Sequence, residues 1–125
     1  MIYICIETQM SKHKNRPTGR RRCANMGRLL EPRFFKALGD PNRIALLSRL
    51  AKCRRPCGVS ELVGCCSVDI SVVSRHLAML RDAGILHAEK RGKEVYYSVR
   101  CKEVVSTLRR IADAIEACCP ETNAT

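Results

Sequence analysis

The apolar residues of this chain change their repeat at Gly84, and that change narrows the folds open to it. Before Gly84, Ile70, Val73, Leu77 and Leu80 recur at steps of three and four, the period of one helix face. After it come two β-rich runs, Ile85-Leu86-His87-Ala88-Glu89 and Val95-Tyr96-Tyr97-Ser98-Val99. Lys90-Arg91-Gly92-Lys93 joins them as a basic hairpin tip. A helix over 70–83 is therefore expected to run straight into a two-stranded hairpin. Ile70, Val73, Leu77 and Leu80 should face inward. Ser71, Arg75, Ala78 and Asp82 then fall on the opposite face, with Ser74 and Arg81 on a flank.

Shorter helices precede this unit. Glu31, Phe34, Phe35 and Leu38 share a face, and Gly39 ends that helix. Asp40 caps the next, with Pro41 at its first position, where a missing N–H costs nothing. Ile44, Leu47 and Leu50 are its expected buried stripe. Residues 53–58 read as a turn, about 60–65 as a brief helix, and Asp69 as the cap of the helix over 70–83. A last helix over about 102–118 carries Val104, Leu108, Ile111 and Ile115, broadened by Val105 and Ala112. That stripe is wide for a terminal helix on a small domain, and a helix from a second copy would cover it.

Charge is distributed unevenly. The chain holds 23 Lys and Arg against 12 Asp and Glu, a formal charge of +11. Residues 1–28 are at net +6, whereas residues 101–125 are at net −1. The segment Ser11 to Arg22 has no apolar period and reads as a solvated extension. The expected organisation is a basic tail over 1–29, one domain over 30–119 and a short tail over 120–125, with Met10 and Met26 as alternative starts. A basic domain of this size meets a polyanion. The absence of Trp and a total of only 5 other aromatics argue against an aromatic-lined single-strand groove. No apolar run approaches the roughly 20 residues of a membrane span.

Nine cysteines are present, an odd count. The first residues lack the basic region of a secretory signal. Free thiols in a reducing cytoplasm are therefore expected rather than a disulfide framework. His13, His76 and His87 make no metal spacing. No Gly-rich phosphate loop, Ser/His/Asp set, paired carboxylates, Cys-x5-Arg or Cys-x2-Cys occurs, so an enzyme is not expected.

Two short helices joined by a tight turn, followed by a basic hairpin, make a winged helix-turn-helix. A helix fits the major groove of B-DNA, where its outward side chains reach base edges. Arg75 is suited to bidentate contact with guanine or phosphate, and Ser71 and Ser74 are short donors. Lys90, Arg91 and Lys93 on the wing suit a neighbouring phosphate or the minor groove. Each charge alone reads as a solvated side chain. One helix face and a hairpin tip of the same sign read as a duplex-binding surface.

Three ordered blocks carry a family resemblance: Phe35-Lys36-Ala37-Leu38-Gly39-Asp40-Pro41-Asn42-Arg43, Val73 through Leu86 (Val-Ser-Arg-His-Leu-Ala-Met-Leu-Arg-Asp-Ala-Gly-Ile-Leu), and Arg91-Gly92-Lys93-Glu94-Val95-Tyr96-Tyr97. Over about residues 30–117 the chain resembles the ArsR/SmtB family of metal-responsive repressors. The resemblance implies a mainly α (α+β) winged helix-turn-helix, homodimeric through its first and last helices. It implies double-stranded operator DNA as partner, with contacts from Ser71, Ser74, Arg75 and His76. It also implies release by a metal or metalloid ion, or by an oxidant in some branches. Ile70 stands where many members have a polar residue.

The family's known sensor sites do not map onto this chain. Gly58, Ser60 and Val63 occupy the positions of the arsenic-binding thiols, and residues 101–119 contain no His. The candidate ligands are instead Cys65, Cys66, Cys118 and Cys119, with Cys53 and Cys57 behind them. Soft thiolates select As(III) or soft ions such as Cd, Pb, Hg or Cu(I). Vicinal thiols also suit a dithiol redox or persulfide switch, and each cysteine singly also reads as core packing.

Overall fold

The computed structural model describes residues 27–118. Residues 27–29, assigned to the tail by the sequence, are helical. The elements that follow are α1 (Pro32–Leu38), α2 (Pro41–Lys52), β1 (Cys57–Gly58), α3 (Val59–Leu62), a 3-10 turn (Val63–Cys65), α4 (Ile70–Asp82), β2 (Leu86–Arg91), β3 (Glu94–Val99) and α5 (Cys101–Cys118). The expected N-terminal and C-terminal tails lie outside the described residues, apart from 27–29.

Local chemistry sets the boundaries of α2. The Asp40 carboxylate accepts the N–H groups of Asn42 and Arg43 at 2.8 and 3.2 Å, and Pro41 fills the first position. The buried stripe is Arg43, Leu46 and Leu50, one residue before the expected Ile44 and Leu47. Ile44 is 44% exposed. The register is fixed by Arg43, which turns inward because the last carbonyls of α1 face it. Its Nε donates to the Ala37 carbonyl at 2.7 Å and Nη2 to the Lys36 carbonyl at 2.9 Å. Both are carbonyls of a helix end; that of Lys36 also accepts the Gly39 N–H at 3.2 Å, and one guanidinium reaches both. On α1 the buried residues are Phe34 and Ala37; Phe35, expected to share the buried face, is exposed and stands edge-on to Phe34.

The helix over 70–83 forms as expected, with Val73, Leu77 and Leu80 fully buried. Ile70 does not face inward: it is 55% exposed at the first position, before the helix reaches the body. Asp69 occupies the cap position, but its side chain makes no capping bond; only its carbonyl accepts, from Val72 and Val73. The C-terminus closes in a Schellman arrangement. Gly84 adopts φ +79, its N–H reaches the Arg81 carbonyl at 2.9 Å, and the Ile85 N–H reaches that of Leu80 at 3.0 Å. Ile85 is thereby driven into the core, and its own carbonyl accepts from Arg100 as the hairpin returns.

The hairpin turns on Gly92 and Lys93, between the Arg91–Glu94 pair. Gly92 has φ +63, a position no β-branched residue tolerates easily. The expected four-residue tip is thus tighter, with Lys90 and Arg91 inside β2. The sheet is also larger than the expected two strands. Cys57 and Gly58, read as turn, pair with Tyr97 and Tyr96, giving a three-stranded antiparallel sheet in the order β1-β3-β2.

One core joins these layers. Leu46, Leu62, Val73, Leu77, Leu80, Ile85 and Leu86 are its largest covered side chains. Each full burial is worth roughly 1.5–3 kcal/mol. On α5 only Ile111 and Ala114 are buried, while Leu108 and Ile115 of the expected stripe are about half exposed, at 45% and 46%.

Candidate nucleic-acid interface and thiol sites

The residues proposed to meet DNA come from α4 and the hairpin. Burial of Val73, Leu77 and Leu80 orients α4 so that Ser71 and Arg75 are exposed and Ser74 is half-buried beside them. Arg75 makes no ion pair among the described residues, so its five donors are open to an anion. His76 differs. It is half-buried, and its Nδ1 lies 3.2 Å from Arg43 Nη1, so one side of the ring is committed to the body. On the wing, Lys90 and Lys93 are exposed and unpaired among the described residues. Arg91 is held instead: it pairs with Glu89 at 3.1 Å and its guanidinium lies 5.0 Å from the Tyr96 ring centre.

The sequence did not single out the contact that positions the wing. Ser60 Oγ donates to Glu94 Oε1 at 2.8 Å, tying the first helix of the helix-turn-helix to β3. Gly58 lies beneath, where a Cβ would sit 2.5 Å from Glu94 Oε1. The Gly58 N–H donates to Glu61, which also grips Arg55 at 2.7 Å. Those bonds hold the Glu61 carboxyl below its usual range, the Arg55 bond first.

The thiols fall in pairs along the chain. Cys53, Cys57, Cys65, Cys66 and Cys101 are free, whereas Cys118, expected free, is disulfide-bonded. Cys119 lies outside the described residues. Cys65 and Cys66 are half-buried against the core, and the Cys66 thiol donates to the Asn42 carbonyl at 3.5 Å. Burial first, then the Cys65 and Asp40 charges, push the Cys66 thiol up. Cys53 caps the end of α2 and Cys57 opens β1, where its thiol donates to the Arg55 carbonyl at 3.6 Å. No group of three or more His, Cys, Asp or Glu able to hold a metal occurs among the described residues. Each pair therefore supplies two soft donors, and a trigonal or tetrahedral ion needs more from elsewhere.

The family model described as "Bacterial regulatory protein, arsR family" matches residues 40–88, from the cap of α2 through α4 into β2. An uncharacterized HTH-type transcriptional regulator of Methanocaldococcus jannaschii is 35% identical over 75 residues, covering 58% of this chain and 83% of that one. The chain belongs to the ArsR family. Members are regulatory proteins and not enzymes. A transcriptional repressor SmtB homolog of Synechocystis sp. is 36% identical to this ArsR-family chain over 83 residues, covering 66% of it. The arsenical resistance operon repressor of Escherichia coli K12 is 39% identical over 74 residues, covering 58%. The match spans 61% of the length of each of these two relatives. A crystal structure of an ArsR family transcriptional regulator aligns at a TM-score of 0.58 with 28% identity, covering 67% of this chain and 84% of that one. The winged helix-turn-helix is therefore the fold of this ArsR-family chain. No single helix among the described residues is long and apolar enough to cross a membrane.

Proposed function

We propose that this chain is a cytoplasmic, homodimeric repressor that binds double-stranded operator DNA and releases it when cysteine thiolates capture As(III) or a soft divalent ion. The observation that carries the reading is the two-sided character of α4. One ridge is locked into the core by Val73, Leu77 and Leu80, while Ser71 and Arg75 stand free on the other. A helix so mounted presents base-reading side chains to a major groove. Lys90 and Lys93 extend the same sign to the flanking backbone, supplying affinity and register. The DNA-binding set is thus Ser71, Ser74, Arg75, Lys90, Arg91 and Lys93, with His76 contributing through its outer edge.

Dimerisation through α5 and the first helix would pair the two readers. Half-covered Leu108 and Ile115, with Val104 and Val105 beside them, support a partner helix there. Operator release rests on the thiols. Cys65 and Cys66 sit in the turn that leads into α4, so a bond drawing their sulfurs together acts on the start of the reading helix. Cys118 ends the helix assigned to the dimer and is a ligand only once its disulfide is reduced, and Cys53 and Cys57 flank the turn before α3. No resident cofactor is required; the ion is the signal.

The reading is tested with reduced full-length protein and a labelled duplex carrying the chain's own promoter. Salt-dependent binding that arsenite or Cd(II) abolishes is expected. Binding that ignores every thiophilic ion but is lost on persulfide treatment would replace metal sensing with dithiol redox sensing. An absence of any sequence-selective binding would overturn the repressor assignment.

A further inference from the structure

We infer that Arg43 is a positioning residue for DNA binding: it fixes the His76 ring so that Nε2–H is donated to a backbone phosphate of the operator. This deepens the repressor reading and rests on it for the duplex, while the fixing of the ring stands apart from it.

Arg43 is anchored on its own side before it reaches the ring. It is 9% exposed. Its Nε donates to the Ala37 carbonyl at 2.7 Å and Nη2 to the Lys36 carbonyl at 2.9 Å. Nη1 lies 3.9 Å from Asp40 Oδ2, and the same carboxylate caps α2 through the N–H groups of Asn42 and Arg43. The end of α1 and the cap of α2 thus hold a rigid, planar fork in one orientation.

What Nη1 has left meets His76 Nδ1 at 3.2 Å. A guanidinium only donates, so Nδ1 accepts through its lone pair and the ring proton lies on Nε2. His76 is half-buried, and its Nε2 reaches solvent with no hydrogen-bond partner among the described residues. The ring therefore offers one outward donor and no lone pair. It suits an oxygen acceptor, and it suits neither a metal ion nor a base amino group.

Placement selects the phosphate. Successive residues of an α-helix lie about 100° apart round the axis. Arg75 is exposed on the outer face of α4 and Leu77 is buried, so His76 stands between them on the flank that α2 crosses. A helix seated in a major groove turns its outer face to the base edges and its flanks to the groove walls, which are rows of phosphates. A loose imidazole would divide its proton between two nitrogens and swing about its ring torsion. Arg43 removes both freedoms before DNA arrives, so the cost of ordering the ring is not met on binding.

The tautomer is read first, in DNA-free full-length protein, by two-bond proton–nitrogen correlation NMR with isotope-labelled histidine. The His76 signal is assigned by its loss in His76→Gln. A protonated Nε2 beside an unprotonated Nδ1 is expected; the reverse, or a mixture of the two, overturns the proposal. Binding to the duplex carrying the chain's own promoter is then followed by fluorescence anisotropy. Glutamine sets its amide nitrogen where Nε2 stands, whereas asparagine sets its own where Nδ1 stands and leaves the outer position empty. His76→Gln should bind within about threefold of the parent, and His76→Ala and His76→Asn about tenfold or more weaker, the worth of one hydrogen bond to a charged group. Equal losses in His76→Gln and His76→Ala overturn the donor.

Arg43→Met should mix the tautomers and weaken binding by the same roughly tenfold, with no further loss in Arg43→Met/His76→Ala. Additive losses overturn the coupling. Should Arg43→Met fail to fold, the parent tautomer and the contrast between glutamine and asparagine decide alone. Single methylphosphonate substitutions locate the partner. The parent should lose affinity at one phosphate in each half-site, where His76→Ala is indifferent. A changed base preference in His76→Ala overturns the phosphate assignment. A parent that binds no duplex, with the expected tautomer in place, removes the repressor reading and the contact with it. A parent that binds with the wrong tautomer removes the role of Arg43 alone.

Discussion

Arg43 and His76 meet at 3.2 Å, Nη1 to Nδ1, where α2 crosses α4. A guanidinium has no acceptor, so the imidazole Nδ1 must accept and the ring proton sits on Nε2, facing away from Arg43. The same guanidinium holds the carbonyls of Lys36 and Ala37. One buried cation thereby joins the end of α1, the start of α2 and the middle of the proposed reading helix. Arg43→Met keeps the aliphatic volume but takes the partner from the Ala37 carbonyl and from His76 Nδ1, while the Lys36 carbonyl keeps the Gly39 N–H. Each unsatisfied buried group costs about 1–3 kcal/mol, so a loss of about 2–4 kcal/mol is expected in urea unfolding. A loss under about 1 kcal/mol would mean that water replaces the guanidinium.

Arg75 is the opposite case, an exposed arginine with no partner among the described residues. Arg75→Ala should leave the unfolding midpoint within about 0.5 kcal/mol of the parent. It should weaken operator affinity by about 1–3 kcal/mol in fluorescence anisotropy, the range for one good base contact. If instead affinity falls equally for all sequences and the salt slope drops by about 1, Arg75 binds phosphate rather than a base edge.

How far the sequence speaks depends on the range of the interaction. The reading helix and the hairpin were legible because their signals are local: a three-four apolar step, then Gly84, then β-branched and aromatic runs. The stripe of α2 was missed by one residue because Ile44 is as apolar as Leu46, and only carbonyls supplied by α1 make Arg43 the better inward residue. β1 was missed because two residues with Pro and Gly neighbours look like turn until Tyr96 and Tyr97 arrive to pair with them. The exposed polar ridge of α4 followed from periodicity. The disulfide at Cys118 could not follow from it, since thiol proximity is a tertiary fact.

Gly58, Ser60 and Glu94 make a second coupling, between α3 and the wing. A Cβ at Gly58 would meet Glu94 Oε1 at 2.5 Å, the end of a movable side chain rather than backbone. Gly58 has φ −74, so alanine is tolerated by the backbone. Gly58→Ala should therefore fold, displace the carboxylate and lose the Ser60 bond, costing about 0.5–1.5 kcal/mol. In a double-mutant cycle with Ser60→Ala the two losses should be less than additive. Full additivity in thermal unfolding would show that Glu94 keeps its hold on Ser60.

Leu108 and Ile115 stand half-exposed on a helix that buries only Ile111 and Ala114 in its own chain. A second copy is the proposed cover. Leu108→Glu or Ile115→Glu should cost the monomer little, because about half of each side chain already lies in solvent and a longer side chain can turn outward. Each should shift sedimentation from dimer toward monomer and weaken binding to a two-half-site operator far more than to a single half-site. Unchanged sedimentation would place the dimer contact elsewhere.

Alkaline pH should expose the state of Cys57. Its thiol is raised from 9.0 to about 11, first by burial and then by the Cys53 thiol. The folded chain therefore holds this proton more tightly than the unfolded chain. The stability that follows is complete below about pH 9 and fades as pH rises from 9 toward 11. The thermal midpoint of the parent should fall across that interval. Tyrosines and lysines titrate there too, so the informative quantity is the difference from Cys57→Ala, which carries no thiol to ionise. That difference should shrink steadily above pH 9. A gap that stays constant to pH 11 would mean that the Cys57 thiol ionises as readily in the folded chain as in the unfolded one.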